Sequence, residues 1–351
     1  MKIPNKFRIR VAALATIAAL CAGTAYAATV LYETGSSLLY PLLNIWVPVY
    51  MSAHPGIVIT TKSTGSGAGI VLSIKGLVQI GASDAYLSDI MAKEHPGILC
   101  IALAISSQAI NYNLPGLNDK HIQLSGPLLA GIYLGKITKW NDPAIQAVNP
   151  GIDLPDHVII PVHRLDESGD TFIFTQYLSD STSSWAQTVK FGTSVSWRWV
   201  EGGLGANGNS GVVAALTATP YAVAYVGISY AGQIAKAGLG VAMLENASGQ
   251  YVLPNAETVG AAAESVAADT PPDERVSMIY AKGANAYPIA NYEYAIVKSQ
   301  QPDSATTQAV RDFLTWAITN GNDIKYLSQV HFLPLPQSIV TLSKAEIAEI
   351  Q

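Results

Sequence analysis

The sequence has almost no cysteine: Cys21 and Cys100 are the only thiols in 351 residues. That excludes a disulfide framework, and no Cys/His pattern with metal-site spacing occurs. Charge is also scarce, at 13% of residues, about half the usual share. There is no run of Lys and Arg, so the electrostatic footprint of a nucleic-acid binder is missing. No apolar run after the first 27 residues is long enough to cross a bilayer. The glycine-rich stretch Thr64-Gly65-Ser66-Gly67-Ala68-Gly69 lacks the Gly-Lys-Ser/Thr ending of a nucleotide P-loop. No Gly-x-Ser-x-Gly elbow surrounds Ser66 or Ser168, and no histidine is placed by sequence to act as their base. His163 and His331 have no partner at metal-ligand spacing, and the ligands of a two-metal phosphatase are missing. No catalytic residue, no metal and no cofactor is expected.

What is present begins with an address. Lys2, Lys6, Arg8 and Arg10 precede an apolar stretch from Val11 to Gly23, and Ala25-Tyr26-Ala27 fits a small-x-small cleavage site. This is the pattern of a secretory signal peptide. Leu20 is too large for the position before a lipidated cysteine, so cleavage after Ala27 and a soluble product are expected, not an anchor at Cys21. Losing the four basic leader residues takes the formal charge from −5 to about −9. An anion held by such a chain must be held by local dipoles, not by overall attraction. The low charge density with an acidic balance would suit an acidic medium. Residues 28–351 suffice for two domains, and 49% apolar residues suffice for a large core. Cys100 sits in the apolar run Gly97–Leu103, which reads as a buried, inert thiol.

The mature chain repeats one grammar. Thr29–Tyr32 reads as a strand, Thr34-Gly35-Ser36-Ser37 as a turn, and Leu38–Trp46 as a helix start. Ile57–Thr61 is again a strand, Thr64–Gly69 a turn, and Ile70–Ile74 the opening of a helix. Val78–Ile80 leads to Gly81-Ala82-Ser83-Asp84, a small-residue turn that presents one carboxylate, as ligand or as helix cap. Val158–Val162 feeds His163-Arg164-Leu165-Asp166-Glu167-Ser168-Gly169-Asp170-Thr171-Phe172, where Ser168 can cap a helix. Helix starts offer free N–H groups and a positive dipole end. The Arg164 guanidinium fork suits a tetrahedral oxyanion, and Asp166 is placed to lock it. Ser210–Leu216 reads as a helix, Ala222–Val226 as a strand, and Ala309–Ile318 as an amphipathic helix. Two long extended runs, Ile101–Asn113 and Ala286–Val297, read as outward and return crossings between lobes. The expected lobes are 28–108 plus 288–351, and 109–287. Alternating strands and helices predict α/β lobes with mostly parallel sheets, and ligands then sit at the carboxyl ends of the strands.

Gly35–Leu42, Gly65–Ile70, Gly81–Ala85 and Arg164–Phe172 together resemble the ligand loops of PstS-type phosphate-binding proteins, in family order. The similarity runs through nearly the whole mature chain, including Gly135–Pro143 and Tyr287–Tyr292. It implies a type II two-lobed periplasmic-binding-protein fold joined by two hinge crossings. It implies a periplasmic, monomeric receptor that hands inorganic phosphate to the membrane permease of an ABC importer. It also implies a ligand set: Ser36, Ser37, Leu38 through its N–H, Ser66, Asp84, Arg164 supported by Asp166, Ser168, Gly169 and Asp170. Many relatives carry an aromatic residue at Leu38 and Thr at Asp170, so Asp170 is read as accepting a second phosphate proton. Asp84 is read as the discriminator, since a carboxylate only accepts hydrogen bonds and sulfate has no proton to give. The alternatives are a receptor for sulfate or molybdate, against which Asp84 argues, and a secreted phosphatase.

Overall fold

The computed structural model describes residues 28–198 and 202–351; the expected signal peptide and Cys21 lie outside the described residues. The first units are β1 (Thr29–Gly35), α1 (Tyr40–Ala53), β2 (Ile57–Ser63), α2 (Ser66–Ile74) and β3 (Ile80–Ser83). β1 runs parallel to β2 and β3, with Gly35 opposite both Ser63 and Ala82. That register brings Ser36, Thr64 and Asp84 to a single carboxyl edge.

Two of these boundaries differ from the expected ones. α2 begins at Ser66, not at Ile70, so Gly67 and Gly69 lie in its first turns. The Gly67 N–H donates to the Glu167 carbonyl at 2.9 Å, and a side chain at Gly69 would strike the Thr34 and Ala82 carbonyls. Asp84 caps no helix: the next one, Asp89–Glu94, is capped by Ser88.

β4 (Ile98–Tyr112) is the outward crossing. Beyond it come α3 (Gly126–Tyr133), β5 (Ile160–Arg164), α4 (Gly169–Ser181), β6 (Leu204–Ala206), α5 (Gly208–Ala218), β7 (Ala222–Gly227) and β8 (Gly240–Val241). The return crossing is β9 (Ala290–Lys298). β4 pairs antiparallel with β9 as far as Ser107 opposite Ala290, and from Gln108 onward it pairs with β7. β5 lies parallel to both β6 and β7, with Arg164 opposite Ala206. The sheets are therefore mixed: pairs are parallel where βα units follow one another and antiparallel where a crossing enters. Helices flank both halves, giving the two-lobed α/β architecture the sequence implies.

α6 (Ser304–Ala317) starts five residues before the expected Ala309 because Asp303 caps it. It closes the first lobe by burying Val310, Phe313 and Leu314, with Phe313 edge-on to Tyr50 of α1 at 5.1 Å between rings. Burial of one such ring contributes about 1.5–3 kcal/mol. Cys100 is buried on β4, and burial pushes its thiol up, which removes the reactive thiolate.

One buried acid is set into a strand irregularity. A bulge between Glu293 and Tyr294 of β9 leaves Leu103 of β4 without a partner. Next to it, the Ala102 N–H donates to Glu274 Oε2 at 3.1 Å, and Ser343 Oγ lies 2.6 Å from Glu274 Oε1. Burial pushes the Glu274 carboxyl up to about 8, although both hydrogen bonds pull the other way. A carboxyl raised on folding stabilises the fold fully below its unfolded value of about 4.3. That stability is lost as pH rises through about 8. Thermal unfolding is therefore expected to shift upward on acidification across this window. Glu274→Gln should flatten the dependence, by on the order of a few kcal/mol between the two ends. Melting curves of both forms across the window check this; an unchanged slope in the variant would contradict it.

Candidate functional site

Arg164 ends β5 and is 3% exposed. Its Nε donates to Asp166 Oδ1 at 2.7 Å, its second terminal nitrogen to Asp166 Oδ2, and its first to Asp170 Oδ2 at 2.6 Å. Three of its five N–H groups are thus used for positioning, and two remain. The two carboxylates more than offset burial and hold the guanidinium charged. Arg164 in turn keeps Asp166 below the usual carboxylate range, whereas burial raises Asp170. The cation is fully matched by its own neighbours, so any anion bound beside it must rely on N–H groups and hydroxyls for the balance.

Ser168 caps α4 through its Oγ, which accepts from the Thr171 N–H at 3.3 Å. Gly169 follows in the first turn. A Cβ at Gly169 would lie 2.3 Å from Asp84 Oδ2 and 2.4 Å from Ser66 Oγ. The start of α4 therefore touches the carboxyl edge of the first lobe. At Gly65 the backbone is left-handed, with φ of 93°, and a side chain there would meet the Glu167 carbonyl at 2.6 Å.

Asp84 is 2% exposed. Ser36 Oγ donates to its Oδ1 and Ser66 Oγ to its Oδ2, the latter at 3.4 Å. Burial raises the Asp84 carboxyl to about 7, followed by repulsion from Asp170; hydrogen bonds from Glu293 and Ser36 and the charge of Arg164 act against this. Ser36 Oγ also accepts the Leu38 N–H at 3.0 Å and the Leu39 N–H at 2.9 Å, which shapes the first turn. Leu38 is buried, and its side chain covers Gly227 at the end of β7.

All nine residues singled out as ligands lie in this one buried cluster at the carboxyl edges of the two halves, with Asp166 half-buried at its rim. Three members were missed. Asn209 of α5 donates to Ser37 Oγ at 3.0 Å and to Asp170 Oδ2 at 2.7 Å, and accepts the Gly227 N–H at 2.8 Å. Gln108 of β4 donates to Asp170 Oδ1 at 3.0 Å. Glu293 of β9 is fully buried beside Asp84. The signal for Asn209 was legible: Ala206-Asn207-Gly208-Asn209-Ser210 is another small polar turn ahead of an apolar helix. Glu293 was legible as the lone acid in the otherwise uncharged run Ala286–Val297.

Among the described residues no group of three or more His, Cys, Asp or Glu is placed to hold a metal ion, and no helix is long and apolar enough to cross a membrane.

Two α/β lobes that meet at strand carboxyl ends, with helix starts from both and one anchored guanidinium between them, define an anion-binding receptor of the two-lobed class. Residues 22–320 match the model of the PBP superfamily domain. The phosphate-binding protein PstS of Xylella fastidiosa is 38% identical over 306 residues, 87% of this chain and 81% of its own length. PstS of Methanocaldococcus jannaschii is 35% identical over 333 residues, 89% of this chain and 84% of its own. In fold, the chain is similar to a high affinity periplasmic phosphate-binding protein, PfluDING, solved with phosphate at pH 8.5. That match has a TM-score of 0.71 at 22% identity and covers 90% of this chain and 93% of that one. A phosphate binding protein of Stenotrophomonas maltophilia gives 0.70 at 20% identity over 91% and 94%. The chain belongs to the PstS family of phosphate-binding proteins within the PBP superfamily.

Proposed function

We propose that this protein is an extracytoplasmic receptor that captures inorganic phosphate between its lobes and delivers it to the membrane permease of an ABC importer. The observation that carries the reading is the meeting of Asp84 and Ser66 with the start of α4, with Arg164 held beside Asp170. The lobes are 28–108 plus 288–351, and 109–287, hinged where β4 changes partner between Ser107 and Gln108. The chain acts as a monomer in the periplasm after cleavage at Ala27, with no enzymatic turnover and no nucleic-acid partner.

Ser36, Ser37, Ser66 and Ser168 supply hydroxyls, and Leu38, Ser66, Gly169 and Asp170 supply backbone N–H groups. Arg164 supplies its two remaining N–H groups. Asp84 accepts the phosphate proton; sulfate, having none, would set two acceptors against each other in a dry site, at a cost of about 1–3 kcal/mol or more. Calorimetric titration of the mature protein with phosphate in excess sulfate tests this. Saturable binding that sulfate does not displace is expected; equal competition by sulfate would remove the reading. A chromogenic phosphate ester should not be turned over.

Asp170 Oδ1 accepts one hydrogen bond, from Gln108, and retains a free acceptor direction for a second phosphate proton. Binding then favours the dihydrogen form and weakens as pH rises above neutral. Asp170→Thr is expected to flatten that decline; a titration with no decline, and a variant that matches the parent, would contradict it.

A further inference from the structure

Glu293 is the one acid of the cluster that no cation reaches. It sits on β9, fully buried, under the carboxyl edge that carries Asp84. Its Oε1 accepts Ser106 Oγ at 2.5 Å and Asn291 Nδ2 at 3.0 Å. Its Oε2 is buried and accepts no hydrogen bond among the described residues. What it faces is the carboxyl of Asp84. Asn291 Nδ2 also approaches the Asp84 carbonyl, at 3.5 Å, so β9 supports this turn from beneath. Beyond Asp84 stand Asp170 and Arg164, and Arg164 is already matched by Asp166 and Asp170.

Two buried carboxyl oxygens without a cation attract each other only if one proton lies between them. Oε1 accepts from Asn291 and shares the single Ser106 hydroxyl hydrogen with Asn291 Oδ1, 2.9 Å from Ser106 Oγ, whereas Oε2 has no other partner and is the place for that proton. The geometry points to Glu293 as a positioning residue for anion selectivity: it keeps its proton and donates it from Oε2 to Asp84. That hydrogen bond opposes the upward push of burial on Asp84 and orients its carboxylate as an acceptor for the proton of the ligand. Burial, and then the negative charge of Asp84, hold the Glu293 carboxyl well above its usual range, as this arrangement requires. The inference rests on the phosphate-receptor reading and deepens it, since it assigns the readiness of Asp84 to a residue that touches no ligand.

Two substitutions separate this role from simple packing. Glu293→Gln keeps an acceptor for Ser106 and Asn291 and places an N–H donor toward Asp84. Glu293→Leu provides no donor, so Asp84 takes up a proton itself and becomes able to donate to sulfate. In competition titrations at neutral pH, the Gln variant is expected to keep phosphate affinity within about threefold and the parental preference over sulfate. The Leu variant is expected to lose about tenfold or more of that preference, the worth of one hydrogen bond to a charged group. Reduced thermal stability in both variants with an unchanged phosphate-to-sulfate ratio would overturn the inference. A second readout needs no ligand. The infrared difference between the parent and the Gln variant should show the loss of a protonated-carboxyl band at neutral pH; loss of a carboxylate band instead would overturn it. A parent that binds no phosphate would sink the receptor reading, while the infrared result would still decide where the proton sits.

Discussion

Arg164→Met is expected to abolish measurable phosphate binding and to destabilise the fold by about 3–5 kcal/mol. Both effects come from one source. Arg164 is buried between Asp166 and Asp170, with side chains 17% and 1% exposed. Removing the cation leaves two carboxylates facing each other with little water, and breaking a buried pair in this way costs about that much. In a chain of this size the midpoint of unfolding should fall by roughly 4–7 °C. The double variant Arg164→Met/Asp170→Asn separates the two effects. Neutralising the orphaned carboxyl should restore much of the stability, while binding stays lost. Thermal unfolding and calorimetry on both variants check this. A single variant that unfolds like the parent would show that the fork is not what anchors the loop.

The second large effect is expected at Gly169. Its backbone lies in an ordinary helical region, so alanine there is compatible with α4, and helix propensity favours it by up to about 1 kcal/mol. What alanine cannot do is let the lobes meet. Its Cβ would lie 2.3 Å from Asp84 Oδ2 and 2.7 Å from Asp84 Cβ. Relief requires α4 to withdraw from the first lobe, which carries the helix dipole and the Ser168 turn away from Asp84. Overpacking of this kind costs about 1–3 kcal/mol, and occasionally more. Gly169→Ala is therefore expected to weaken phosphate binding by about 100-fold while ligand-free stability barely changes. Unchanged affinity would mean that the ligand is held somewhere other than where α4 meets Asp84.

The parts of this site that could be read from the sequence are those built from contiguous turns. Gly35-Ser36-Ser37, Gly65-Ser66 and Ser168-Gly169-Asp170 each stand between an apolar strand and an apolar helix, and local chain chemistry fixes their shape. The long crossings were legible because Ile101–Asn113 and Ala286–Val297 are too long and too apolar to be ordinary connections. Residues that act across sheets were not legible in the same way. Gln108 matters because β4 changes partner there, and nothing local announces a change of partner. α2 starts four residues earlier than its glycines suggest, because Gly67 and Gly69 are required not by a turn but by what packs on them: the Glu167 side chain at Gly67, and the Thr34 and Ala82 carbonyls at Gly69. Asp84 looked able to cap a helix, but its side chain is taken by Ser36 and Ser66 from two other units.

The site carries four acids, Asp84, Asp166, Asp170 and Glu293, around one arginine. An anion binds there only if the acids divide the work. Asp166 and Asp170 hold the guanidinium, Asp84 and the second oxygen of Asp170 accept protons of the ligand, and Glu293 gives a proton to Asp84. A crystal structure of the mature protein grown with phosphate tests this division of labour most directly. Tetrahedral density is expected within hydrogen-bond reach of Arg164, the Ser168–Asp170 backbone and Asp84 Oδ at once. Phosphate found elsewhere on the molecule, with Asp84 touching no ligand, would contradict it.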